Sequence, residues 1–271
     1  GNSNQFGAEG GIGIIASRLS VQGPIVKDKA SYMISARRTY IDVLARPFIN
    51  QSSDFAGSGY YFYDLNAKVN YRLSPKDRIY LSGYFGRDVF TFNNQERSFK
   101  ADIPWGNATA TLRWNHVFGP KLFANTSLVY NDYNFSFGAA QNNFEVKLAS
   151  GIRDGTAKVD FDYYASPTHK IKFGGIATYH KFVPNVVSGR QDSIEFTPAN
   201  EDVKYAMEKA LYAQDDWDLT QKLRIGYGLR WSGFTQLGPY TRYNRDQDRN
   251  VLDSTEYGSF DRIQNYQGLE P

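Results

Sequence analysis

Residues Tyr61 to Arg72 alternate without a break. Tyr61, Tyr63, Leu65, Ala67, Val69 and Tyr71 fall on one face of an extended chain, and Phe62, Asp64, Asn66, Lys68, Asn70 and Arg72 fall on the other. Side chains reverse direction at each residue of a strand, so a period of two means a strand with one apolar and one polar face. Length narrows the choice further. At ~3.3 Å per residue, Tyr61 to Tyr71 spans roughly 33 Å, and a tilt of about 40° brings that to roughly 25 Å, the height of the apolar band of a membrane barrel. Strands of soluble sheets are usually about 5–6 residues long. This one is too long for that mode, which favours a membrane barrel over a soluble sandwich.

The pattern repeats along the chain. Ile79, Leu81, Gly83 and Phe85 oppose Arg78, Tyr80, Ser82 and Tyr84. Ala108, Ala110, Leu112 and Trp114 oppose Thr109, Thr111, Arg113 and Asn115. Further sets run through Leu122–Asn131 (blurred by Phe123 and Val129), Ala157–Tyr163, Ile171–Tyr179 and Leu223–Trp231. Composition agrees, with 20 Tyr and 19 Phe, residues that suit a pleated surface. No apolar run approaches the ~20 residues of a membrane helix. A mean hydropathy of −0.54 does not argue against the bilayer, because only alternate residues of a barrel strand meet lipid.

The connections also alternate. Short turns are expected at Ser74-Pro75-Lys76-Asp77, Gly119-Pro120-Lys121, Ser166-Pro167-Thr168 and Asp218-Leu219-Thr220-Gln221. Long loops are expected near 45–59, 91–106, 138–143, 184–204 and 238–271. Short turns at one end and long loops at the other correspond to periplasmic and extracellular sides. An earlier hairpin closes over Ser20–Lys29, a poorly alternating first strand is placed in Phe6–Gly13, and Phe144–Ala165 is kept as one long strand. The expected fold is all-β: an antiparallel transmembrane barrel fragment of about eleven strands.

Two stretches resemble a known family. Ala16-Ser17-Arg18-Leu19-Ser20-Val21-Gln22-Gly23-Pro24-Ile25-Val26-Lys27-Asp28-Lys29 and Ser35-Ala36-Arg37-Arg38-Thr39-Tyr40-Ile41-Asp42 look like the start of the barrel in TonB-dependent receptors with a carboxypeptidase-regulatory-like N-terminal domain. Tyr212-Ala213-Gln214-Asp215-Asp216-Trp217, followed by Gly226-Tyr227-Gly228-Leu229-Arg230, is similar to a strand–turn–strand motif of that superfamily. Leu269-Glu270-Pro271 resembles the motif that introduces the next strand. The resemblance implies a 22-strand barrel around a plug, with residues 1–271 as a partial barrel and the plug and remaining strands outside this sequence. It implies uptake of a scarce nutrient (siderophore, cobalamin, peptide or glycan) across the outer membrane of a Gram-negative bacterium. Its implied partners are outer-membrane lipid and the TonB complex, with a surface lipoprotein as a further candidate.

The remaining residues point to no covalent chemistry. The net charge is +3, with 31 basic and 28 acidic residues intermixed, so the clustered basic face that nucleic acid needs is missing. No cysteine is present, which removes disulfides and thiolate metal sites. His116, His169 and His180 lack zinc spacing, and no phosphate-loop, dinucleotide or nucleophile-elbow motif occurs. Asn244, Asp246, Asp248 and Asn250 alternate like a calcium loop, but Arg249 stands where such a loop needs Gly and Thr255 where it needs Glu. The expectation is therefore no metal, no cofactor and no enzyme. Candidate lumen residues that line a substrate path or meet a plug are Asp64, Lys68, Asp160, Asp162, Arg224 and Arg230. Candidate ligand contacts in the loops are Arg46, Phe48, Trp105, Arg190 and Tyr240. The alternatives are a barrel enzyme with hydrolytic residues at its rim, and a passive porin or secretion-associated scaffold.

Overall fold

A computed structural model of the chain describes residues 2–44, 47, 56–196 and 203–271, the Asn185 side chain apart. The order is β1 (Gly7–Ile12), β2 (Ala16–Val26), β3 (Ala30–Thr39), the one-turn helix α1 (Ile41–Leu44), β4 (Gly59–Arg72) and β5 (Asp77–Asn94). It continues with β6 (Phe99–Gly119), β7 (Leu122–Gln141), β8 (Phe144–Ser166), β9 (His169–Gln191) and β10 (Ile194–Phe196). The last strands are β11 (Lys204–Thr220), β12 (Leu223–Leu237), β13 (Tyr240–Arg245), β14 (Val251–Tyr257) and β15 (Arg262–Glu270). The main sheet runs β1 to β9 in sequence order, then β11, β12 and β15; β10 pairs with β9 off this path, and β13 pairs with β14 as a separate hairpin. That path holds twelve strands among the described residues. One more is present than the alternation reveals, because β15 lies inside the expected 238–271 loop.

Register places like residues beside like. Ala36 lies opposite Leu65, Leu65 opposite Phe85, Ile34 opposite Ala67 and Val69 opposite Leu81. The apolar row stays on one face from strand to strand, as a half-buried sheet requires. Among the described residues nothing covers that face: Leu65 is 45% exposed and Leu81 53%. The buried apolar residues among those described are Ala30, Ala101, Ala124, Ala206, Ala210 and Leu237, far too little for the core of a sandwich. The outward row needs a solvent other than water. The sheet has the architecture of a barrel wall.

The chain divides into two compact units. One comprises Gly1–Leu112, Tyr130–Arg153 and Val183–Asp202, and carries the ladders β1 to β5. The other comprises Arg113–Val129, Asp154–Phe182 and Val203–Pro271, and carries the β9–β11–β12–β15 ladder and the β13–β14 hairpin.

The four short turns form where proline, serine and threonine ask for them. Ser74 Oγ donates to Asp77 Oδ2 at 2.7 Å and accepts the Lys76 N–H at 3.1 Å. Ser166 Oγ accepts the backbone N–H groups of Thr168 and His169 at 3.2 Å. Thr220 Oγ1 does the same for Lys222 and Leu223. A side-chain oxygen thus satisfies the donors that the reversing backbone frees.

The opposite end differs from the sequence reading. The long connections consist mostly of strand. β5 runs on to Asn94 and β6 begins at Phe99, while β7 runs to Gln141 and β8 begins at Phe144. Tight turns close these arms, with Ser98, Asn142 and Asp192 at φ of 47°, 52° and 55°. The left-handed region is open to Asn and Asp at little cost. The physical reason is that alternation marks a strand only where its two faces meet different solvents. Beyond the apolar band both faces are wet, so the chain stays extended without the pattern.

Candidate functional site

The face opposite the apolar row carries most of the residues expected to line a lumen. In the first unit Asp64 receives Arg37, with Nε and Nη2 at 2.8 and 2.7 Å from Oδ2. The Arg37 guanidinium also sits 4.8 Å over the Phe62 ring. Lys68 places its ammonium 5.6 Å from the Tyr80 ring. Further along β4, Tyr60 donates to Asp88 at 2.6 Å and stacks on Trp105 with ring centroids 6.3 Å apart. Trp105 belongs to β6, an extension of strand and not a loop as its place in the 91–106 segment suggested.

In the second unit Asp160 and Arg230 come together through a residue the sequence reading did not select. The Tyr212 phenol donates to Asp160 while the Arg230 guanidinium lies 5.8 Å from the Tyr212 ring. Lys158 pairs with Asp160 at 3.0 Å, and Arg230 reaches Glu270 at 4.0 Å. A cavity of about 730 Å³ opens here, with Lys158, Asp160, Tyr212, Asp216, Arg230 and Glu270 in its wall. Gly174 makes the cluster possible. Tyr212 lies opposite Gly174 across the β9–β11 ladder, and a Cβ at 174 would meet the phenol oxygen at 2.7 Å and clash with the Val159 carbonyl. A tyrosine lying over a strand glycine fills the gap left by the missing side chain.

Other candidates stand apart. Arg224 forks onto Asp218 at 2.6 and 3.2 Å beside the β11–β12 turn, away from the Tyr212 cluster in sequence and register. Asp162 follows Asp160 by two residues on the same strand face. Arg190 is in strand β9 and pairs with Glu145 of β8 at 3.2 Å, so it too sits on an arm instead of a loop. Tyr240 begins β13 under the Lys204 ammonium at 4.4 Å. Arg46 and Phe48 lie outside the described residues.

Two histidines have partners that their sequence neighbours do not announce. His180 Nδ1 lies 2.7 Å from Asp154 Oδ1, with Nε2 3.8 Å from Glu208. His169 Nδ1 lies 2.6 Å from Asp215 Oδ2, which also accepts the Tyr227 hydroxyl at 2.9 Å, and its ring stacks on Trp217. The motif Tyr212–Trp217 therefore works on both faces. Tyr212 points inward to Asp160, and Asp215 and Trp217 tie the opposite face to neighbouring strands. Only the spacing within the motif hinted at this; the partners depend on register.

Asp64, Asp160 and Arg224 of this wall are ion-paired, and among the described residues no group of three or more His, Asp or Glu is placed to hold a metal ion. In the 244–250 segment both Asp246 oxygens are taken by Asn250, through its backbone N–H at 2.8 Å and its side-chain amide at 3.0 Å.

The fold has solved counterparts. The copper transporter OprC superposes with a TM-score of 0.64 over 98% of this chain and 43% of its own, at 11% identity. The fold is that of a TonB-dependent receptor barrel. The ferric yersiniabactin uptake receptor FyuA of Yersinia pestis matches over 97% of this chain and 45% of its own, with a TM-score of 0.52 and 12% identity. The ferric-catecholate import receptor Fiu of E. coli K12 matches over 97% and 50%, with a TM-score of 0.52 and 13% identity. The chain spans about half the length of these TonB-dependent receptor structures, all of them transporters or receptors and none an enzyme. No protein-family model matches the sequence, and no curated protein matches it.

Proposed function

We propose that the chain is barrel wall of a TonB-dependent transporter in the outer membrane of a Gram-negative bacterium, importing a scarce nutrient. The observation that carries this reading is the antiparallel path of long strands with an uncovered apolar face, superposing along almost its whole length on receptor barrels. The named counterparts take up ferric chelates or transport copper, which favours a scarce metal or its chelate among the candidate nutrients. Cobalamin, peptide and glycan stay in the test set. On this reading the Tyr60–Trp105 pair and the Tyr212 cluster line the path of the nutrient or meet a plug. TonB acts through a plug contributed by the rest of the protein, and a surface lipoprotein is a further candidate partner.

The test is uptake. Cells lacking the full receptor are compared with complemented cells for accumulation of labelled ferric chelates, copper, cobalamin, peptides and glycans, with TonB present or deleted. The account predicts accumulation of one class that needs both receptor and TonB. Accumulation that persists without TonB would make the barrel a passive porin.

A further inference from the structure

We infer that the outward face carries a binding site for the phosphate of an outer-leaflet glycolipid, formed by Arg38 and Arg87 on either side of Tyr63. This rests on the outer-membrane reading above. The argument begins with register. Arg38 lies opposite Tyr63 across β3–β4, and Tyr63 lies opposite Arg87 across β4–β5, so the three form one row across the sheet. The next row toward the short turns is Ala36, Leu65 and Phe85, on the same face. Leu65 and Phe85 are 45% and 44% exposed, which fixes that face as the uncovered one. Both arginines therefore point outward, at the border where the apolar band ends and the wet arms begin.

Arginines there are out of place as bland surface. Each is exposed, and the Arg38 guanidinium lies 5.5 Å over the Tyr61 ring. Their neighbour Arg37 turns to the other face and is neutralised by Asp64. The outward carboxylate Asp132 of β7 is occupied by Arg153 at 3.0 Å and Asn134 at 2.7 Å. Gly106 of β6 comes against Arg87; a Cβ there would meet the Gly86 carbonyl at 2.7 Å and the Arg87 Cβ at 3.7 Å.

The surface beneath suits the rest of such a lipid. Ala36 leaves a dip between Leu19 on β2 and Leu65 on β4, directly below Arg38. A cavity of about 1030 Å³ opens here, with Leu19, Ala36, Arg38, Tyr61, Tyr63 and Leu65 among its walls. An acyl chain lies in the dip and the phosphate above it meets a guanidinium fork, the geometry that planar bidentate recognition favours. A neutral lipid gains only the dip. The site is at the end opposite the short turns, which selects the outer leaflet and its phosphorylated glycolipid over the phospholipids of the inner one.

The full receptor, purified from outer membranes, is incubated with bis-phosphorylated lipid A, with the same lipid stripped of phosphate, and with phosphatidylglycerol, and bound lipid is counted by native mass spectrometry. Retention of phosphorylated lipid A about tenfold above both others is expected, with Arg38→Glu/Arg87→Glu falling by about tenfold to the dephosphorylated level. Lys27→Glu/Lys76→Glu, an equal charge change at the turns, leaves retention unchanged. Equal retention of phosphorylated and stripped lipid overturns the site, and equal retention of phosphatidylglycerol overturns the glycolipid assignment. If the double arginine variant does not fold, the three-lipid comparison on the unaltered receptor still decides. A receptor absent from the outer-membrane fraction ends the transporter reading itself, whereas one present there without lipid preference ends only this inference.

Discussion

The same strands behave differently at their two ends. Near the short turns, β4 and β5 alternate strictly, with Val69 opposite Leu81 on an uncovered apolar face and Lys68 opposite Ser82 on the polar one. Farther along, β5 continues through Phe90-Thr91-Phe92-Asn93-Asn94 and pairs with β4 as far as Thr91, yet its outward positions turn polar, with Thr91 and Asn93 on the face that carries Leu81 and Phe85 lower down. Backbone pairing is the same in both regions; what changes is the solvent on one face. Alternation therefore reports the bilayer, and strand length reports something else.

The largest expected effect comes from moving one charge between these regions. Leu65→Arg, on the outward row at the middle of the band, is expected to cost about 2–4 kcal/mol in refolding of the full receptor into lipid vesicles, the range for a cation near the bilayer midplane. Val187→Arg, in the β9 arm, stays within about 0.5 kcal/mol, as for an ordinary surface change. Equal costs would break the comparison. Next in size is Gly174→Val. The added side chain has no room between Val159 and the Tyr212 phenol, and overpacking of this kind costs about 1–3 kcal/mol. Urea titration of the refolded variant measures it, and a second-site Tyr212→Ala change is expected to recover part of the loss.

The smallest effect is in the β13–β14 hairpin, outside the band. The Asn250 side-chain amide, and then its backbone N–H, hold the Asp246 carboxyl below the usual carboxylate range. Its folded value is depressed, so its contribution is fully present above the unfolded value of about 3.9 and is lost as pH falls through the folded one. Protection of the Asn250 amide against hydrogen exchange should fall over that acid window, and Asp246→Asn should remove the pH dependence while leaving the main sheet intact.

The contrast also explains what could be read from the residues alone. The strands crossing the apolar band were legible because lipid and water impose opposite preferences on successive positions. β15 was not, since Arg262, Gln264, Asn265 and Gln267 leave it polar on both faces, although Leu269 hinted at a strand to come. Asp160 and Arg230 were legible as charges on the face opposite the apolar row. Tyr212, which sits between them, and Asp154 beside His180 depend on which strands neighbour each other and in what register, information that no single strand contains. Arg38 and Arg87 are 49 positions apart in sequence and one strand either side of Tyr63 in the sheet.

The most direct measurement is a thiol scan of residues 64 to 71 in the full receptor, held in outer-membrane vesicles. This stretch has no natural cysteine, so each introduced thiol reports alone within it. Positions 65, 67, 69 and 71 should resist a membrane-impermeant maleimide and react with a lipid-soluble one, while 64, 66, 68 and 70 should react with the impermeant reagent. Uniform reactivity, or protection of both sets alike, would contradict a wall with oil on one side and water on the other.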